Sequence, residues 1–377
     1  MPEDATDHRL MARAIQLAAR GLYTTEPNPR VGCVLARDGE IVGEGWHVRA
    51  GEGHAEVNAL AQAGERARGA TAYVTLEPCS HFGKTPPCAN ALIDAGVSRV
   101  VAAMQDPNPQ VAGQGLARLR AAGIEVDCGL LESEARDLNP GFIKRMQQGL
   151  PWVRLKLAMS LDGRTAMASG ESQWITGPQA RADVQRLRAR SGAVISGADS
   201  VLLDDSALTV RAAELGLDAD LATAAAASQP LRVLIDGRLR VPLQQRLFRE
   251  AGPVLVACAD TQQREAEYRH DGAELLALPG EQGRVDLGGL LQELGRRGCN
   301  EVLVESGADL AGAFWRAALV DELIVYMAPR LLGSRARPLL DLPFDRMAEA
   351  MDLDVTDMRV IGRDWRITAR PVSSFRE

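Results

Sequence analysis

Short runs of apolar residues alternate along the chain with stretches whose apolar residues recur every three or four positions. In the first 150 residues the runs Val31–Ala36, Thr71–Leu76, Arg99–Met104 and Ile124–Cys128 predict buried strands, and His54–Ala63, Cys88–Ala95 and Gly115–Ala122 predict helices between them. Strands alternating with helices imply a sheet covered on both faces. Ahead of them an amphipathic helix is expected, with Met11, Ile15, Ala18 and Leu22 on one stripe, Thr6 or Asp7 as cap and Gly21 as stop. Gly149-Leu150-Pro151 predicts the domain boundary, because proline resists continuing a helix and favours an extended start. The domains are therefore read as 1–149 and 150–377.

The second half restarts with an alternating strand, Trp152–Met159. Further strands are predicted at Ala193–Ser196, Leu231–Asp236, Pro253–Ala257, Glu301–Glu305, Glu322–Ala328, Leu353–Ile361 and Trp365–Pro371. Gly362-Arg363-Asp364 joins the last two as a hairpin, and helical patterns separate most of the others, so this half is also α/β. Residues 212–229 are Ala-rich and read as a partly helical or mobile insertion.

The net charge of −7 and the 4% aromatic content speak against a nucleic-acid groove, which needs a basic face and stacking rings. No apolar run approaches the ~18 residues of a membrane span. The early acids and missing apolar core of the N-terminal stretch do not fit an export signal. A reducing, cytoplasmic setting is expected, where cysteines serve as thiols or metal ligands rather than disulfides. Cys33, Cys128, Cys258 and Cys299 are assigned to packing.

The remaining two cysteines carry chemistry. His54-Ala55-Glu56 opens a predicted helix, Pro78-Cys79 follows a predicted strand, and Cys88 opens another helix. An imidazole and two thiolates suit Zn²⁺, and three protein ligands leave one tetrahedral position for water, whose pKa such a metal lowers to about 7. Glu56, two residues from His54, is placed to move protons without ligating, the division of labour of zinc deaminases. A helix N-terminus favours a thiolate at Cys88. A closed structural zinc site is the rival, with His81 as the nearby fourth ligand. The loop from Cys79 to Cys88 is longer than the Pro-Cys-x-x-Cys of deaminases in general. In the second half no GxGxxG opens a βαβ unit, so a Rossmann site is not supported. Strand Glu301–Glu305 instead runs through Ser306-Gly307-Ala308 into a helix, a candidate pyrophosphate cradle. Lys156 stands out as a cation on an otherwise apolar strand, where it needs a partner or a job.

With these residues the sequence resembles the bifunctional riboflavin-biosynthesis deaminase/reductase family over nearly its whole length. The matching stretches are Pro27-Asn28-Pro29-x-Val31-Gly32, His54-Ala55-Glu56, Thr75-Leu76-Glu77-Pro78-Cys79 through Cys88, and Asp106-Pro107-Asn108-Pro109. In the second half they are Lys156 to Gly163, Ser172 to Thr176, Asp204-Asp205 with Leu208 to Arg211, and Glu305-Ser306-Gly307. The long Cys79–Cys88 loop fits this family, and the 212–229 insertion matches weakly.

The resemblance implies a cytidine-deaminase-like three-layer α/β/α domain followed by a dihydrofolate-reductase-like α/β domain. The first would deaminate 2,5-diamino-6-(5-phosphoribosylamino)pyrimidin-4(3H)-one with one Zn²⁺ per chain on His54, Cys79 and Cys88. The second would reduce the ribosyl group with NADPH to give 5-amino-6-(5-phosphoribitylamino)uracil. The implied cofactor residues are Ala158, Trp174, Ser200, Asp204, Gly307, Ala308, Asp309, Leu310, Ala311, Gly312 and Ala313. The implied substrate residues are Asn28, Ser172, Arg188, Leu208, Arg211 and Glu305, with Glu56, Lys156 and Glu305 as the catalytic groups.

Several of these keep a plainer alternative: a turn asparagine at Asn28, a structural ring at His47, a solvated loop charge at Lys84, a solvated helix face at Arg188 and a structural Lys–carboxylate pair at Lys156. The partners expected are a small molecule and further copies of the chain, with no nucleic acid or membrane. The competing reading is a zinc deaminase of another nucleotide or of nucleic acid, with a non-catalytic C-terminal binding domain.

Overall fold

A computed structural model describes residues 5–80, 87–109, 111–270 and 272–372. The chain divides into two compact units, Met1–Gly149 and Leu150–Glu377.

The first unit comprises α1 (Ala5–Ala19), β1 (Gly32–Arg37), β2 (Glu40–Trp46), α2 (Ala55–Ala63), β3 (Thr71–Val74), α3 (Cys88–Ala95), β4 (Arg99–Ala102), α4 (Gln114–Ala121), β5 (Glu125–Cys128), α5 (Glu132–Leu138) and α6 (Pro140–Gln148). Its five-stranded sheet runs β2-β1-β3-β4-β5. β1 is antiparallel to both of its neighbours, and β3, β4 and β5 are parallel. Period-two alternation splits β1 between two cores. Val34 and Ala36 meet Leu10, Met11, Ala14 and Leu17 of α1 with Ala135 and Ile143 of α5 and α6. Cys33 and Leu35 meet Ala55 and Ala59 of α2, Ala89 and Leu92 of α3 and Leu119 of α4. The result is a three-layer α/β/α unit.

Glycines set how closely α2 lies on β2. A Cβ on Gly43 would stand 2.4 Å from the Ala59 carbonyl oxygen, and one on Gly45 would stand 2.4 Å from that of Ala55. Side chains there would lift the helix that carries His54 and Glu56.

Two details of the N-terminal helix differ from expectation. Thr6 and Asp7 lie inside α1 rather than capping it, and Asp7 accepts hydrogen bonds from the Tyr73 hydroxyl at 2.5 Å and from Arg99 at 2.9 Å. The buried face is Leu10, Met11, Ala14, Leu17 and Ala18, while Ile15 and Leu22 are only half-buried. Cys128 is exposed on β5, the sheet's edge, so packing does not explain it. Cys33, Cys258 and Cys299 are buried, and all six cysteines are free thiols.

The second unit comprises β6 (Trp152–Ser160), β7 (Arg164–Ala166), α7 (Pro178–Ala189), β8 (Ala193–Gly197), α8 (Ala198–Asp204), α9 (Ala219–Ala227), β9 (Leu231–Ile235), α10 (Arg246–Arg249), β10 (Val254–Cys258), α11 (Glu265–His270), β11 (Ala273–Ala277), α12 (Leu287–Arg296), β12 (Glu301–Glu305), α13 (Ala308–Arg316), β13 (Glu322–Ala328), β14 (Arg337–Pro338), β15 (Leu353–Ile361) and β16 (Asp364–Pro371). A nine-stranded sheet runs β11-β10-β9-β8-β12-β6-β13-β16-β15. It is parallel from β11 to β13, and β16 and β15 continue it antiparallel.

Both faces of this sheet are covered. Val302 and Val304 of β12 pack with Leu290, Leu294, Ala311 and Phe314 of α12 and α13, and Leu303 packs with Ala180, Val184 and Leu187 of α7 on the other side. The insertion at 212–229 is ordered around α9. Asp218 caps that helix by accepting from the Leu221 N–H, and Ala222 and Ala225 are buried beneath it.

Candidate active sites

In the first unit, His54 occupies the N-cap position of α2 with extended backbone (φ −70°, ψ 166°), so its ring stands off the helix end. Cys88 opens α3 directly after Pro87, and Cys79 follows β3 at the carboxyl edge of the sheet. His54 Nδ1 lies 3.2 Å from Cys88 Sγ and 3.6 Å from Cys79 Sγ. The Cys88 N–H donates to Cys79 Sγ at 3.3 Å. One ligand atom from each of the three lies within 4.8 Å of the others, and no further His, Cys, Asp or Glu among the described residues joins them. A tetrahedral ion with roughly 2.3 Å to sulfur and 2.0 Å to nitrogen separates its ligands by roughly 3.5–3.8 Å, so the donor set fits zinc in both geometry and chemistry.

Glu56, 3% exposed, sits in the first turn of α2 outside that ligand group, and burial pushes its carboxyl up to about 7. Hydrogen bonds to Cys79, first from the Cys88 thiol and then from His54, pull its own thiol down to about 4; Cys88, the donor of the pair, moves up. Asn28 is not a free turn residue, because its Nδ2 donates to His47 Nε2 at 3.0 Å. His47 Nδ1 in turn donates to the Gly53 carbonyl at 3.1 Å, and its ring meets that of His54 edge-on at 5.4 Å. His81 and Lys84 lie outside the described residues.

Sequence reasoning assigned Glu77 no role of its own. Its buried carboxylate accepts from the N–H groups of Asp106, Gly113, Gly115 and Leu116, fastening the segment that carries Cys79 to the 106–116 loop. The signal was available, since an acid between Leu76 and Pro78 at a strand end needs buried partners.

In the second unit, β12 and β6 are parallel neighbours with Glu305 in register with Lys156. Lys156 Nζ is 3.8 Å from Glu305 Oε2. Arg188 Nε and Nη2 reach Oε1 and Oε2 of the same carboxylate at 2.6 and 3.1 Å, while its Nη1 donates to the Thr209 carbonyl at 3.1 Å. Arg188 is therefore not on a solvated helix face, and its fork is engaged by Glu305 rather than turned outward. Burial pushes the Glu305 carboxyl up, but Arg188 and Lys156 outweigh it and hold it below the usual carboxylate range. Burial pulls Lys156 down against the opposing pull of Glu305.

Around this trio, Ala158 lies half-buried two residues along β6, and the Ser172 hydroxyl donates to Asp204 Oδ1 at 2.9 Å. Ser200 Oγ accepts the Gly307 N–H at 3.2 Å. Trp174 is 61% exposed, with the Arg181 guanidinium 4.6 Å over its ring. Gly307 has ordinary extended backbone (φ −74°), and a Cβ there would meet only Ser200 Oγ at 3.8 Å, so the space before α13 is open. Next to it, Ser306 Oγ is buried with no hydrogen-bond partner among the described residues. An open helix N-terminus beside an unsatisfied hydroxyl fits a pyrophosphate.

Not all of 307–313 faces this space. The Ala311 side chain is buried in the core, and a Cβ on Gly312 would stand 2.2 Å from the Asp341 carbonyl oxygen, so both positions are packed against the protein. Leu208 has left-handed backbone (φ 57°) and, at 2% exposure, is packed in the core of the unit. Arg211 is exposed and paired with Glu214 at 2.5 and 2.7 Å.

The two units match known families separately. Residues 4–104 match the cytidine and deoxycytidylate deaminase zinc-binding region, and residues 151–367 match the RibD C-terminal domain. Fold and sites together define a bifunctional enzyme in which a zinc-dependent deaminase is joined to a nicotinamide-dependent reductase. Along the whole chain, the riboflavin biosynthesis protein RibD of Escherichia coli is 56% identical over 360 residues, covering 95% of this chain and 97% of the relative. That of Haemophilus influenzae is 52% identical over 365 residues, covering 96% of each. Among solved structures, RibD of Acinetobacter baumannii superposes with TM-score 0.91 at 48% identity, covering 98% of this chain and 100% of that one. A diaminohydroxyphosphoribosylaminopyrimidine deaminase/5-amino-6-(5-phosphoribosylamino)uracil reductase from Thermotoga maritima superposes with TM-score 0.83 at 33% identity, covering 97% and 99%. The chain belongs to the RibD family of riboflavin biosynthesis proteins. Among the described residues no helix is long and apolar enough to cross a membrane.

Proposed function

We propose that this chain carries out two consecutive steps. The first unit hydrolytically deaminates 2,5-diamino-6-(5-phosphoribosylamino)pyrimidin-4(3H)-one, with one zinc ion per chain held by His54, Cys79 and Cys88. The second unit reduces the product's ribosyl group to ribityl with NADPH. The carrying observation is the convergence of those three ligand atoms within 4.8 Å, with Glu56 in the first turn of the same helix that His54 caps. A cytoplasmic location and a homo-oligomeric state belong to the same reading and rest on the family resemblance.

Zinc at this site supplies a water acidic enough to react near neutrality. Glu56 would take one proton from the attacking water and give it to the ring nitrogen, and would then relay the remaining hydroxyl proton of the tetrahedral adduct to the amine, which leaves as ammonia while the carbonyl forms. Asn28, held by His47, hydrogen-bonds the pyrimidine. In the second unit the nicotinamide supplies a hydride. Glu305 fixes Lys156 and Arg188 around the ribosyl end, and Lys156 gives the proton that balances the hydride.

Metal analysis of Cys79→Ser with separate assays of the two steps tests this. The variant should lose zinc and ammonia release yet keep NADPH oxidation on pre-deaminated substrate. Loss of both steps in a folded variant overturns the two-site assignment.

A further inference from the structure

Both ends of the Ala-rich segment 212–229 border the reductase site. Just before it, residues 205–211 form neither helix nor strand, although Ala207, Leu208, Thr209 and Val210 are all buried. Irregular buried backbone has no ladder to satisfy its N–H and C=O groups, so it needs other partners. Here side chains supply them. Gln229 Oε1 accepts the Val210 N–H at 2.9 Å, and Gln229 Nε2 donates to the Val210 carbonyl at 2.9 Å. Gln185, buried on α7, accepts the Arg211 N–H with its Oε1 at 3.0 Å, and the Thr209 carbonyl accepts from Arg188 Nη1 at 3.1 Å. Two successive peptide units, 209–210 and 210–211, therefore have all four of their polar groups bound by three side chains.

That bracing reaches the reacting groups. Arg188, which holds the Thr209 carbonyl, also binds the Glu305 carboxylate. Arg211, the last residue of the braced stretch, stands near enough to Glu305 for its guanidinium to help hold that carboxyl below the usual range. The Arg211 fork rests on Glu214, but these side chains are 44% and 45% exposed, and an ion pair so open to water is weak and yields to a phosphate. Gln229 is fixed from outside the loop. Its Nε2 also donates to the Ala226 carbonyl of α9 at 2.8 Å, and two residues on, Leu231 opens β9 by donating to the Gly192 carbonyl at 2.9 Å. Between Arg211 and Gln229 the segment is anchored by Leu215, Ala222 and Ala225, all buried.

A guanidinium on a long side chain meets a bound phosphate only if its backbone starts from the right place, and a misplacement of about 1 Å can cost up to about 10²-fold. Resting on the reading that the second unit reduces a phosphoribosyl group, we propose that Gln229 and Gln185 are positioning residues of the reductase. They set the 209–211 backbone so that Arg211 meets the substrate's phosphate, and the 212–229 segment serves to bring Gln229 back beside Val210.

Steady-state kinetics of the zinc-loaded full chain test this, with pre-deaminated substrate and NADPH varied in turn and ammonia release from the diamino substrate as control. Gln229→Met keeps the length of the side chain but offers no N–H donor and no oxygen acceptor. It should raise the KM for pre-deaminated substrate about tenfold and hold kcat within about threefold, the pattern of lost uniform binding. The KM for NADPH and the rate of ammonia release should stay at the parent's values. Gln185→Leu, acting on the neighbouring peptide unit, should give the same split. Gln229→Glu keeps the acceptor for the Val210 N–H and should fall between the parent and Gln229→Met. Arg211→Ala should raise the same KM, and adding Gln229→Met to it should cost little more, because the two act through one contact. Hydrogen exchange of peptides covering 205–211 should quicken in Gln229→Met, while those covering β8 and β12 keep the parent's rates and show that the unit is folded. The proposal is overturned if both Gln229→Met and Gln185→Leu keep the parent's KM for substrate, if kcat or the KM for NADPH carries the loss instead, or if the losses from Gln229→Met and Arg211→Ala add in full. A parent that oxidises no NADPH with pre-deaminated substrate refutes the reductase reading itself and takes this proposal with it.

Discussion

Replacing Glu305 by Gln tests the reductase site through stability as well as activity. The change keeps side-chain size but removes the negative charge nearest to Arg188, at 2.6 and 3.1 Å, and to Lys156, at 3.8 Å. The side chains are only 12%, 12% and 18% exposed for Glu305, Arg188 and Lys156, so solvent screens little of the loss. Breaking a buried pair by removing one partner costs about 3–5 kcal/mol, and the residual exposure here argues for the lower end, about 3 kcal/mol. With a urea slope of about 2–3 kcal/mol/M, the midpoint of the second unit should fall by about 1–1.5 M at neutral pH, read from tryptophan fluorescence of the full chain.

The deficit should also depend on pH in a defined way. Glu305 has a depressed folded pKa, so its contribution is present above the ordinary glutamate value and is lost as pH falls through the folded one. Removing Glu305 lets burial lower Lys156 further. Between that lowered value and the parent's, the unfolded variant binds the extra proton, so the variant's stability rises with pH and the deficit narrows. The deficit should therefore be greatest at intermediate pH and shrink on both sides. A midpoint within about 0.2 M of the parent across that range, or a deficit flat with pH, would show that the three groups are not a charge-balanced buried cluster, since even a 0.5 kcal/mol effect should resolve.

Two further substitutions separate chemistry from scaffold. Glu56→Gln should retain zinc by metal analysis yet lose about 10²–10⁴-fold in ammonia release, the usual contribution of a positioned proton-transfer group; a near-normal rate removes Glu56 from the reaction. Gly312→Ala should gain up to about 1 kcal/mol in helix propensity but lose about 1–3 kcal/mol to overpacking against the Asp341 carbonyl, lowering the thermal midpoint; a stabilised variant would mean that α13 does not press on that backbone.

The elements most legible in the sequence were those whose signal is local and whose burial is complete. β12 and β13 carry the expected bounds, Glu301–Glu305 and Glu322–Ala328, because they are apolar runs buried between two helical layers. α3 does as well, because Pro87 and Gly96 punctuate it. β2 escaped notice because Gly43 and Gly45, ordinarily turn residues, serve there to admit α2. β11 escaped notice as a half-exposed edge strand. The grouping of His54, Cys79 and Cys88 was legible because each stands at or just beyond the end of an element, where side chains converge.

The arginine run on α7 was not legible in the same way. Arg186 binds Asp183, Arg188 binds Glu305 and Arg190 binds Glu301, and only the packed helix decides which guanidinium turns inward. The side-chain directions along 307–313 were not legible either. Resemblance transfers a continuous stretch, but a helix presents only one face of it, and Ala311 and Gly312 lie on the other.

The two sites bring reactive groups to the carboxyl ends of parallel strands, yet they balance charge in opposite ways. Around Glu305 the compensation comes from within the chain, since Arg188 and Lys156 already neutralise the carboxylate. The groups acting on Cys79 and Glu56 are chiefly Cys88, His54 and burial itself, which together offer a single imidazole as cation for two sulfurs and a buried carboxyl. Such a cluster is short of positive charge, and a divalent ion supplies it. Zinc removal should therefore abolish deamination and weaken the first unit, whereas the Glu305 cluster holds without a ligand and should leave the second unit's urea midpoint unmoved by dinucleotide-free buffer and chelator alike. A chelator that destabilised the second unit directly would contradict this division of charge.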